Sequence, residues 1–98
     1  MYPEVEFLFW SAKEPLDSSS GSVAVRSTEM VLDVPLPGDR PYVIRGVRKE
    51  GYYYEGSHQG LPDDVPVLAK WTRLDDIWIG TWLEDNIEYV FQFQLTDD

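Results

Sequence analysis

The stretch VPVLAKWTRLDDIWIGTWLEDNIEYVFQFQL, from Val65 to Leu95, decides the fold. It runs as three segments of alternating apolar and polar residues, broken at Asp75-Asp76 and at Asp85-Asn86. Period-two alternation marks strands with one buried face. Asp and Asn suit the breaks because they tolerate the left-handed backbone of two-residue hairpin loops. With each pair taken as such a loop, the pairing follows by counting. Across the second turn Trp82 faces Tyr89, Gly80 faces Phe91 and Trp78 faces Phe93. Across the first, Trp71 faces Gly80, Ala69 faces Trp82 and Val67 faces Glu84.

The two turns are independent, yet together they place Val67, Ala69, Trp71, Trp78, Trp82, Tyr89, Phe91, Phe93 and Leu95 on one face. A slip of one residue would exchange the two faces, so the register is strongly specified. Lys70, Thr72, Ile79, Thr81, Leu83, Glu88, Val90, Gln92 and Gln94 fall on the other, mixed face, which points to solvent. Gly80 lies between Trp71 and Phe91, where aromatic rings cover a strand glycine.

Working outward, Tyr42 to Lys49 and Tyr52 to Gln59 read as a second hairpin around Lys49-Glu50-Gly51. Gly51 suits the left-handed position of a three-residue loop with a bulge. That reading opposes Arg45 to Glu55, Gly46 to Tyr54 and Gly56 to Ile44, with Tyr42, Ile44, Gly46, Tyr54, Gly56 and His58 on the inner face. At the N-terminus Val5, Phe7 and Phe9 alternate with Glu4 and Glu6, while Leu8 and Trp10 fall on the charged, partly exposed side. The run Asp17-Ser18-Ser19-Ser20-Gly21-Ser22 reads as a polar loop. Ser27 to Val34 fits a strand or a single helical turn. The proline-rich run from Pro35 to Pro41 reads as a loop.

These elements give an all-β chain of roughly six to eight antiparallel strands in a meander, within a single domain spanning residues 1–98. Glycines placed for sharp curvature favour a small closed or partly open barrel, with a two-sheet sandwich as the alternative. The triplet Gly80-Thr81-Trp82 resembles the Gly-x-Trp of lipocalin-like barrels. There it belongs to the first strand and here to a late one, so the likeness covers three residues and carries no functional residue over.

Composition narrows the function. Eight Lys and Arg stand against 18 Asp and Glu, a formal charge of −10. Such a field repels nucleic-acid phosphates and anionic membranes, and it suits a basic protein partner or simple solubility. The absence of Cys removes disulfides, thiol catalysis and Cys-ligated zinc. Met1 leads into Tyr2-Pro3-Glu4 without a basic, apolar leader pattern, and a cytoplasmic location is the expectation.

Candidate sites are few. His58 is the single histidine, so paired-His metal or acid–base schemes have no second member. The doublets Asp63-Asp64, Asp75-Asp76, Glu84-Asp85 and Asp97-Asp98 lack the converging oxygens and glycine bend of a calcium loop, and turn chemistry accounts for them better. No nucleophile triad, phosphate loop or dinucleotide fingerprint is present, so enzyme is the least expected class and no cofactor or metal is expected. Two readings remain. In the first, a non-catalytic interaction protein binds a protein partner through exposed Tyr53 with Asp63 and Asp64. In the alternative, a small barrel binds an apolar or aromatic small molecule beside Tyr54, His58, Trp71 and Trp78.

Overall fold

The computed structural model describes residues 1–35, 42–58, 66–84 and 86–96. Among them lie eight strands: β1 Tyr2–Trp10, β2 Asp17–Val25, β3 Glu29–Val34, β4 Tyr42–Glu50, β5 Tyr53–His58, β6 Val67–Leu74, β7 Ile77–Glu84 and β8 Ile87–Phe93. Each pairs antiparallel with its neighbour in sequence, and β1 also pairs with β8, so the sheet closes into a barrel. Closure joins the two edge strands to each other. The expected barrel is therefore the closed form, and the sandwich is set aside.

The β6–β7–β8 register is the one the two turns dictate. Trp71 pairs with Gly80, Ala69 with Trp82 and Val67 with Glu84, while Trp82 pairs with Tyr89, Gly80 with Phe91 and Trp78 with Phe93. Asp75 and Asn86 take φ of 61° and 63°, the left-handed geometry for which those residue types are suited. Trp71, Trp82 and Phe91 are fully buried, and Gln92 and Gln94 lie on the outer side. Gly80 sits hard against the backbone of β6, where a Cβ would meet the Lys70 carbonyl and stand 2.6 Å from Trp71 Cα. The barrel wall bends tightly there because no side chain intervenes.

Two expectations are corrected. The β4–β5 register is displaced by two residues: Arg45 pairs with Ser57, Gly46 with Gly56, Ile44 with His58 and Arg48 with Tyr54. The chain turns at Gly51 and Tyr52, with Gly51 at φ 54°, and an irregularity lies between Arg48 and Glu50. A shift of two preserves the side-chain parity, so Ile44, Gly46, Tyr54 and Gly56 still face inward. The Arg45–Glu55 pair does not form. Arg45 reaches Glu29 of β3 at 3.5 Å instead, and the exposed Tyr53 hydroxyl donates to Glu55 at 2.8 Å.

The second correction concerns the serine run. Asp17 to Ser22 is the first part of β2, not a loop, with Glu6 opposite Ser20 and Phe7 opposite Ser19. Serine has little intrinsic preference for strands, but the ladder to β1 overrides it, and from Ser22 onward β3 pairs on the other side. The Ser19 hydroxyl donates to the Pro35 carbonyl, satisfying a polar group that packing alone would not. Glu29–Val34 resolves as a strand with Met30, Leu32 and Val34 buried at period two.

Candidate functional site

The two ends of the barrel interior are filled differently. Toward the end bearing the β4–β5 and β6–β7 turns the core is solid. Tyr54 stacks on Trp71 with centroids 5.9 Å apart and meets Trp78 at 5.8 Å. Trp78 stacks on Phe93 at 6.2 Å. The Trp71 indole N–H donates to the Met30 sulfur at 3.2 Å, and its ring lies over Gly46. Three of the four residues expected to line a pocket, Tyr54, Trp71 and Trp78, are thus brought together as mutual packing.

The fourth, His58, stands apart. It is four residues further along β5 than Tyr54, about 13 Å at the rise of a strand. Its Nδ1 accepts the Val43 backbone N–H at 3.2 Å, and its ring meets Tyr42 edge-on at 4.8 Å. Tyr53 is half-buried on the outer wall. Its hydrogen bond to Glu55, with smaller contributions from desolvation and the Glu55 charge, raises the phenol above its ordinary range. Asp63 and Asp64 lie outside the described residues.

At the His58 end the barrel mouth holds a cleft of about 190 Å³. Its walls are aromatic: Phe9 and Trp10 from the end of β1, Trp82 from β7 and Tyr89 from β8. Glu14 and Pro15 of the β1–β2 connection and Asp17, Ser18 and Ser19 of β2 form the rim. These residues meet for reasons of register. Phe9 lies opposite Phe91 and Asp17, and Tyr89 lies opposite Trp82, so three inward aromatics converge where β1, β7 and β8 end or begin. Phe9 and Trp82 meet edge-to-face with centroids 5.3 Å apart, and Tyr42 and Trp82 do so at 5.9 Å.

Glu84 is the polar centre of this mouth. Two residues after Trp82, it lies on the same side of β7 and faces inward. The Trp82 indole N–H donates to Glu84 Oε1 at 2.9 Å, and the Tyr42 hydroxyl donates to Glu84 Oε2 at 3.0 Å. The carboxylate is thereby held in one orientation, with acceptor capacity left, since a carboxylate has about four lone-pair sites. The arrangement can hold a flat apolar body against aromatic walls and accept a hydrogen bond from it.

Sequence reasoning placed Trp82 and Tyr89 on the inner face and paired Glu84 with Val67, without marking them as a site. An acidic residue paired with Val67 on the core face was the available signal, because an inward carboxylate needs partners or a mouth open to water.

Fold and cleft together define a small closed antiparallel β-barrel with an aromatic-lined mouth. No family model matches the chain, and no curated protein matches it. Among solved structures it is similar to a de novo designed fluorescence-activating β-barrel, with a TM-score of 0.62 and 19% identity over 98% of this chain and 94% of that one. It is also similar to a redesigned β-barrel, with a TM-score of 0.64 and 10% identity over 98% of this chain and 91% of the other. At these identities the likeness is one of fold.

Proposed function

We propose that this barrel binds a small, flat, apolar or aromatic molecule in its mouth. The observation that carries the reading is the cleft walled by Phe9, Trp10, Trp82 and Tyr89 around an oriented Glu84. Its volume of about 190 Å³ exceeds the roughly 150 Å³ of an apolar cavity that accepts benzene, so a one-ring ligand fits and a two-ring ligand would project through the open side. Aromatic walls with one placed polar group are the usual composition of small-molecule sites. The similar barrel designed to activate fluorescence adds support, because it is a barrel of comparable extent.

The protein-partner reading rests on the charge of −10 and on Tyr53. It carries less, because the Tyr53 hydroxyl is engaged with Glu55 of its own strand and the charge alone names no docking surface.

The test is titration with prodan, an uncharged naphthalene fluorophore whose emission reports polarity. Saturable, blue-shifted emission is expected, weakened several-fold by Tyr89→Ala, which removes one half-buried wall while leaving the Trp82–Phe91 contact. Emission that does not saturate, or that ignores Tyr89→Ala, refutes the reading.

A further inference from the structure

Resting on that reading of the mouth, we infer that the cleft selects positively charged ligands, with an aromatic ammonium as the matching chemistry. The aromatic walls come first. Phe9, Trp10, Trp82 and Tyr89 present π surface, whose negative face attracts a cation as well as an apolar ring. Trp is the strongest of these partners, and aromatic cages are a recurrent means of holding quaternary ammonium groups.

The charge of the lining comes second. Among the described residues its acidic members are Glu14, Asp17 and Glu84, and no lysine, arginine or histidine of those residues lines the cleft. An anionic ligand would meet three carboxylates and, among the described residues, no counter-charge in the lining. A cationic one meets π faces and a carboxylate whose position is already set. Trp82 ties the two halves together: its ring forms a wall while its N–H orients Glu84. Glu84 lines the same cleft as the half-buried rings of Phe9, Trp10 and Tyr89, so a ligand resting on those rings meets a carboxylate already oriented by Trp82 and Tyr42.

The ligands that test this are a matched pair, phenyltrimethylammonium and tert-butylbenzene, which share a shape and differ by one charge. Both are titrated at low salt against tryptophan fluorescence, with benzenesulfonate as the anionic comparison. The ammonium is expected to bind roughly tenfold tighter than tert-butylbenzene, with benzenesulfonate weakest. Glu84→Gln, which keeps the side chain's shape but replaces one carboxylate oxygen with an amide NH2 and removes the charge, should bring the pair within about twofold of each other while tert-butylbenzene binding persists.

Glu50→Gln separates local selection from the general field. It removes the same unit of charge on β4 at the opposite end of the barrel, and it should leave the preference intact. Tert-butylbenzene binding as tightly as the ammonium overturns the inference and leaves the small-molecule reading standing. So does a preference that survives Glu84→Gln, or one that Glu50→Gln abolishes equally. If none of the three ligands binds, the reading of the mouth fails and the inference fails with it.

Discussion

Replacing Gly80 with alanine adds one methyl group at the tightest point of the barrel wall. Its Cβ would drive into the Lys70 carbonyl oxygen, stand 2.6 Å from Trp71 Cα and 2.8 Å from the Lys70 carbonyl carbon. All three are backbone atoms of β6, locked in the ladder that pairs Gly80 with Trp71, so none can swing aside as the end of a long side chain would. Working in the opposite direction, alanine stiffens the unfolded chain and stabilises by about 0.4–1 kcal/mol where the site accepts it. Overpacking a filled core costs about 1–3 kcal/mol, and a backbone clash lies at the upper end of that range. The net loss is then about 2 kcal/mol. For a domain near this size each kcal/mol moves Tm by about 4–8 °C, so a drop of roughly 10 °C is expected.

The assay is a far-UV circular-dichroism melt beside Gly51→Asn. Gly51 has φ 54° and open space around its missing Cβ, a geometry asparagine adopts readily, so that variant should melt within a few degrees of the parent protein. A Gly80→Ala protein that melts with the parent would refute the reasoning, because β6 and β7 could not then approach as closely as the register requires.

Two further outcomes follow from local geometry. Asn86→Val places a β-branched residue at φ 63° and should cost about 1–2 kcal/mol in urea unfolding, whereas Asn86→Gly should stay close to the parent protein; equal midpoints for the two would mean that the turn is not left-handed. Tyr53 donates its hydroxyl to Glu55, so its phenol should titrate above the ordinary tyrosine range by NMR of its ring, and Glu55→Gln should lower it. Because the folded-state value is raised, any stabilisation is present below the ordinary tyrosine range and is lost as pH rises through the folded value. Solvent screening at this exposed pair keeps that contribution small, and a Tyr53 titration indifferent to Glu55→Gln would show that the hydrogen bond does not set it.

The candidate site was legible in part. The register of β7 and β8 already turned Trp82, Glu84 and Tyr89 inward, because pairing across a short turn depends only on nearby residues. What it could not convey was which inward aromatics fill the interior and which leave room. Trp71 and Trp78 look alike with Trp82 in the sequence. Yet Trp71 packs against Tyr54, Phe91 and Met30 away from the cleft, while Trp82, equally buried, borders the cleft in contact with Phe9, more than 70 positions away in the chain. Free volume depends on where distant strands end, and no local pattern records that.

By itself, the sequence determined the all-β class, the pairing from Val67 to Phe93, the division into inner and outer faces, and the glycine at the tight bend. Each rests on period-two alternation or on turns whose two arms are adjacent, so the physics is local. Tertiary structure alone decided the rest. The union of β1 with β8, seen in Phe7 opposite Phe93, joins the first strand to the last and turns a meander into a barrel. The ladder to β1 likewise drew a serine run into β2 against its intrinsic preference, because backbone groups in the wall must find partners whatever side chains they carry. The closure also brought Phe9 into contact with Trp82 at the mouth, a consequence of long-range pairing and barrel curvature that short-range pattern does not contain.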